Sequence, residues 1–306
     1  MSARLAKVSP WLLIAISLGL TPTAGSAGAW LLKPGEFQSD LTGSSFSTST
    51  YYDDNGDNLT FASNGVVQRH AIESASVLGW KKWANLRFRV PFENRTVQAG
   101  PYPDAQNSLT QTGLGDLLIG LVVKIKDGPT ALSIEGDWRA PLGYNERLVP
   151  PLGNGLQYFG GSLNFGTAIP AIQGFFEASG GMAVPYPSDL VVRDLEPAPA
   201  DTAQALTVVS ASLGFWAGTS LLVAGNYDGV FESDNKDQVV EYPLTRNRGG
   251  IELIYRVDDH LDVIAGGRHT FSGQNALQTD EFYVGVAAKK SHLDRLQGFL
   301  GSKRRH

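Results

Sequence analysis

The stretch TALSIEGDWRAPLG, Thr130 to Gly143, decides how this chain is read. Taken alternately, Thr130, Leu132, Ile134, Gly136, Trp138 and Ala140 form one set, and Ala131, Ser133, Glu135, Asp137 and Arg139 the other. Period-two alternation is the signature of a β-strand whose faces meet different surroundings. One face here is apolar or small, while the other holds two carboxylates and a guanidinium. A soluble sandwich or barrel turns its apolar face inward, whereas a barrel in a membrane turns it outward. This strand alone is compatible with both.

Its neighbours repeat the pattern. In GLGDLLIGLVVKI, Leu117, Ile119, Leu121, Val123 and Ile125 oppose Asp116, Gly120 and Lys124. In residues 83–97, Leu86, Phe88, Val90 and Phe92 oppose Asn85, Arg87, Arg89, Glu93 and Arg95. GIELIYRV sets Ile251, Leu253, Tyr255 and Val257 against Arg248, Glu252 and Arg256. LDVIAGGRHTF sets Leu261, Val263, Ala265 and Phe271 against Asp262, Ile264, Arg268 and Thr270. Near the end, Phe282, Val284, Val286 and Ala288 oppose Glu281, Tyr283 and Lys289.

Such segments predict twelve strands: 36–51, 66–79, 83–97, 113–126, 130–142, 155–168, 174–186, 203–217, 219–232, 245–257, 260–271 and 279–290. Short connections (GWKKW, KDGPT, IPAIQ, WAGTS, VDDH) alternate with longer polar ones at 52–65, 98–112, 143–154, 187–202, 233–244 and 272–278. An even strand count with all long loops at one end is the rhythm of outer-membrane barrels. The charged faces mix glycine, serine and asparagine with single arginines and carboxylates, and few lysines lie in the strands. That is unlike a solubilising surface. Closure follows from the solvent: in hydrocarbon every strand-edge N–H and C=O must be paired, which an open sheet cannot do.

The first residues agree. Arg4 and Lys7 precede the ten-residue apolar run Trp11–Leu20, and Ala27-Gly28-Ala29 supplies a small-residue cleavage site before Trp30. The run is too short for a helix that spans a bilayer, which takes about 20 residues. The reading is a signal peptide over 1–29, a barrel over 30–290 and a periplasmic tail over 291–306. The chain has no cysteine, which excludes disulfides and thiolate chemistry. Its net charge of −5 becomes more negative once Arg4 and Lys7 are removed, so a basic nucleic-acid footprint is absent.

Three segments resemble a known family: AWLLKPGEFQ after the leader, TGLGDLLIGLVVKI opening a central strand, and DWRAPLGY ending the next. They are similar to the outer-membrane transporter-like proteins named for a meta-cleavage pathway of phenol degradation, grouped with barrel porins and aromatic-hydrocarbon channels. The resemblance implies an outer-membrane barrel that takes up small, often hydrophobic or aromatic compounds. One departure is visible. Such barrels usually end on an aromatic residue that closes the last strand, whereas KSHLDRLQGFLGSKRRH follows here, with Leu293, Leu296, Phe299 and Leu300 on one side of a short amphipathic helix.

The candidate solute pathway is the charged face: Arg87, Arg89, Glu93, Asp116, Glu135, Asp137, Arg139, Glu177, Asp228, Glu252, Arg256, Arg268 and Glu281. The plainer alternative is that these opposite charges pair and fill a narrow barrel, since buried charges persist when paired. DDNGDN, Asp53 to Asn58, begins like a calcium loop but lacks its sixth-position glycine and twelfth-position glutamate, so it reads as a polar hairpin. His70 and His269 fall near the long-loop rim without an evident serine nucleophile beside them. Trp80, Trp83, Trp138 and Trp216 fall near strand ends, where interfacial girdles sit.

The expected function is passive admission of a small solute, with hydrophobic or aromatic compounds as the candidates, and with no enzyme activity, cofactor or metal. Its partners would be outer-membrane lipid and lipopolysaccharide, the barrel assembly machinery and the solute. The rivals are a lipid-modifying barrel enzyme and a non-transporting structural or adhesion barrel.

Overall fold

The computed structural model describes residues 29–61, 65–98, 108–142, 152, 156–187, 205–232 and 244–289. The expected leader up to Gly28, much of the long loops and the tail from 291 lie outside these residues. The strands are β1 (Phe37–Thr48), β2 (Thr50–Tyr52), β3 (Asn58–Thr60), β4 (Val66–Lys81), β5 (Ala84–Gln98), β6 (Leu109–Leu114), β7 (Asp116–Lys126) and β8 (Thr130–Pro141). They continue with β9 (Leu156–Ile169), β10 (Gly174–Pro187), β11 (Leu206–Ala217), β12 (Leu221–Glu232), β13 (Thr245–Arg256), β14 (Leu261–Gln274), β15 (Ala276–Leu277) and β16 (Asp280–Lys289).

Each wall strand pairs antiparallel with the next, β1 pairs with β16, and β4 joins β1 to β5, so the ring closes. With β6 and β7 counted together, it is an up-and-down barrel of 12 strands. Tight turns join β4–β5, β7–β8, β9–β10, β11–β12 and β13–β14. The start of β1 and the end of β16 lie at the same tight-turn end, where Gln38 faces Lys289.

Burial settles which face is inside. Phe282 is 69% exposed and Ile251 62%, whereas Glu252 is 1% exposed and Arg95 2%. Leu41, Ile72, Phe88, Leu121, Ile134, Leu163, Leu213 and Val284 continue the exposed apolar belt around the wall. Hydrophobic residues outside and charges inside are the reverse of a soluble core, and they match a wall in contact with lipid.

Three local differences from the sequence reading have physical causes. The strand expected from 113 is broken at Gly115, with β6 beginning earlier. Pairing steps from Phe92↔Leu114 to Arg89↔Leu118, so one extra residue enters as a bulge beside Pro91. Proline has no N–H for the ladder, and a Cβ on Gly115 would come within 3.0 Å of its ring. Second, the expected loops 52–65 and 272–278 contribute β3 and β15, which join β2, at the end of the expected first strand, in a small three-stranded sheet at the long-loop end. Its Tyr51, Phe61 and Leu277 pack on Phe46, Val67 and Val97 inside the mouth. Third, Trp216 is not a girdle residue. It faces inward beside Leu222 and Ile254, leaving exposed Trp80 and Trp83, with ring centroids 6.4 Å apart, at the tight-turn rim.

Candidate functional site

The interior is layered. At the long-loop end Phe46, Val67 and Val97 form one apolar group, and Tyr158, Ala183, Leu206, Val230 and Leu244 another. Charged residues lie deeper in the barrel.

Seven of these charges form one chain of contacts. Arg95 meets Glu93 at 2.6 Å, and Glu93 meets Arg69 at 2.8 Å. Arg69 meets Glu281 at 3.1 Å, and Glu281 meets Arg248 at 3.5 Å. Arg248 meets Asp228 at 3.0 Å, and Asp228 meets Arg246 at 3.8 Å. Arginine and carboxylate alternate, so each acid lies between two guanidinium groups. This is the arrangement that keeps buried like charges apart and offsets desolvation. The ladder runs along the wall from β5 through β4 and β16 to β12.

The wall facing it is different. In the ring, β9, β10 and β11 lie opposite β16, β1 and β4. Their interior positions include Gly160, Ser162, Asn164, Ser179, Gly181, Ser210 and Ser212, and most of these are half-buried. The side chains that face the ladder across the interior are therefore mostly small.

The other expected site residues divide into smaller groups. Arg87 Nη1 donates to both oxygens of Glu135, at 2.8 and 2.7 Å. Arg89 lies 3.6 Å from Glu73. The Arg139 guanidinium sits 5.8 Å from the Tyr158 ring centroid, with Asp116 and Asp137 as the neighbouring acids. The Asp137 carboxylate occupies the space that a Cβ on Gly160 would enter. Arg268 lies 4.7 Å over the Tyr283 ring, and Tyr283 donates to Glu252 at 2.9 Å. Arg256 sits 4.5 Å over the Trp216 ring near the tight-turn end. Glu177 stands apart and accepts the backbone N–H of Ala29.

The list from sequence omitted Arg69, Glu73, Arg246 and Tyr283. In β4 the inward Val67, Arg69, Ala71, Glu73 and Ala75 are less often polar than the outward Gln68, His70, Ile72, Ser74 and Ser76, so alternation gives no signal there. Arg95 and Arg248 were placed on polar faces, but nothing marked them as ladder members.

On the outside near the long-loop rim, the Ser45 hydroxyl and His70 Nδ1 are 2.9 Å apart, a contact between adjacent strands that spacing along the chain does not reveal. Asn94, next across from His70, donates to Thr112 at 2.6 Å instead. His269 Nδ1 meets Asp280 at 2.7 Å. DDNGDN forms the β2–β3 turn, in which Asp53 Oδ1 accepts the N–H groups of Asn55 and Asp57 at 2.9 and 2.8 Å. That carboxylate oxygen is already engaged by the backbone.

A closed ring with an apolar belt outside and a charged interior defines a transmembrane β-barrel of the outer-membrane type. Among solved structures, the fold is similar to an outer membrane channel from Pseudomonas putida F1, with a TM-score of 0.67 and 11% identity over 88% of this chain and 100% of that one. Weaker likenesses are NanC porin (TM-score 0.48, 8% identity, 82% of this chain and 98% of that) and the translocator domain of autotransporter NalP from Neisseria meningitidis (0.48, 10%, 90% and 91%). No family model and no curated protein matches the chain.

Proposed function

We propose that this protein is a bacterial outer-membrane channel that passively admits a small solute of apolar or aromatic character. The tight turns then face the periplasm and the long loops the outside. The observation that carries this reading is the asymmetry of the lumen: a packed arginine–carboxylate ladder faces an accessible wall of glycine and serine. A passage between them would be polar and narrow, and the apolar groups at its mouth favour an uncharged organic solute over an ion. The segments similar to the phenol-degradation transporter family support the same choice, and the outer membrane channel among the similar structures supports the channel reading.

The Ser45–His70 contact is the observation closest to an enzyme reading. It does not favour hydrolysis. The serine meets Nδ1, no carboxylate or amide orients the ring from Nε2 among the described residues, and wall N–H groups engaged in the ladder offer no oxyanion hole. A purely structural barrel would need the small-residue wall to be filled as well.

Uptake by liposomes tests the proposal. Vesicles containing the folded protein should take up a small phenolic compound faster than protein-free vesicles, and planar bilayers should carry a small ion current. Folded protein that gives neither would favour the structural barrel.

A further inference from the structure

Residues 29–36 do not simply lead into β1. Gly35 N–H donates to Gly79 O at 2.7 Å, and Gly79 N–H donates to Glu36 O at 2.8 Å, which holds this end beside β4. Asn85 on β5, with its amide turned toward Leu32, accepts the Leu32 N–H at 2.8 Å. Trp30 Nε1 then donates to Gly128 O in the β7–β8 turn at 3.0 Å. The indole lies on Gly166 of β9, where an added Cβ would come within 2.6 Å of the ring, and meets Phe175 edge-on at 6.5 Å. Ala29 is buried, and its N–H points to Glu177 on β10. In the ring β1 and β10 are opposite walls, so these residues cross the tight-turn end of the lumen.

Glu177 is the anomaly at the far end. Its Oε1 is buried without a hydrogen-bond partner, and no lysine, arginine or histidine pairs with it among the described residues. Every ladder carboxylate is flanked by arginines, whereas this one faces a single peptide N–H. We propose that residues 29–36 form a strap across the periplasmic mouth, locked by an ion pair between Glu177 and the α-ammonium group of a processed chain that begins at Ala29. The proposal rests on the reading of an exported barrel. It places the cut between Gly28 and Ala29, one residue earlier than the Ala27-Gly28-Ala29 pattern suggests, with Ser26 and Gly28 as the small residues that a signal peptidase requires. Water supplied to that membrane endopeptidase breaks the Gly28–Ala29 amide. Gly28 leaves as a carboxylate, and the nitrogen kept by Ala29 is protonated to the ammonium. One cleavage therefore releases the leader and creates the missing counter-ion where the neutral N–H stood.

The test uses full-length protein purified folded from outer membranes, with intact mass and α-amine acylation by a succinimidyl ester as readouts. The mass should correspond to a start at Ala29, and a start at Trp30 or elsewhere overturns the proposal. An opposite charge in contact shifts a pKa by at least about one unit, so the α-amine should react about tenfold or more slowly than in Glu177→Gln. Equal rates overturn it. Should Glu177→Gln fail to assemble, Gly166→Leu removes the indole's seat with Glu177 intact and should expose the amine equally; continued protection would overturn the strap. Neither readout depends on ion current or solute uptake, so a silent channel leaves this result independent.

Discussion

At the scale of single residues, Glu281 shows how the interior is stabilised. It sits between Arg69 and Arg248, and both arginines have a further carboxylate, Glu93 and Asp228. Glu281→Gln removes a charge without leaving either cation alone. The expected loss is therefore about 1–3 kcal/mol, the scale of a charge-assisted hydrogen bond, and not the ~3–5 kcal/mol of an orphaned buried charge. Urea unfolding of the reconstituted barrel checks this, and a loss at the larger scale would mean the ladder acts as one indivisible unit. Glu281, Glu93, Asp228 and Arg248 were visible in the sequence as members of polar faces, whereas Arg69 was not. Their partners were not, because Arg69 and Glu281 are 212 residues apart and meet only when the ring closes.

At the scale of elements, each strand carries two surfaces that tolerate opposite chemistry. Leu253 is an exposed belt residue on β13, so Leu253→Arg should place a cation in lipid at a cost of about 2–4 kcal/mol near the midplane. Ser179 on β10 faces the small-residue side of the lumen, and Ser179→Arg should assemble normally. Ser133 shares the inward face of β8 but is fully enclosed, with Asn164 Nδ2 at 3.4 Å, and is a poor place for a large side chain. Outer-membrane yield of the two variants measures the difference, and equal loss would contradict the assignment of faces. Strand alternation is a local property, so it was legible wherever one face was distinctly apolar. It failed to show the break at Gly115, since that depends on Pro91 in the facing strand.

At the scale of the whole molecule, pairing of β1 with β16 closes the wall into a ring. Unheated protein in detergent gels should therefore run at a different position from boiled protein, and a single position under both conditions would argue against a closed ring. A barrel of this size has side chains across much of its interior, so its conductance should be small. Arg256 stands over Trp216 toward the periplasmic end, outside the ladder. Arg256→Gln should shift the reversal potential in a salt gradient toward cations, since it removes a positive charge from a narrow, weakly screened space. An unchanged potential would place the permeation path away from that residue.

By itself the sequence determined the class of fold, because lipid imposes a requirement that can be read residue by residue: alternate side chains are apolar on most wall strands, and long and short connections alternate. It also placed charges of both signs on the opposite face. Only the tertiary structure decided which charges meet and which wall carries the small residues. It alone brought the residues before β1 across the lumen to Glu177, a carboxylate without a cationic partner among the described residues. These are contacts between strands far apart in the chain, fixed by the number of strands in the ring and their register, and a period of two carries no record of either.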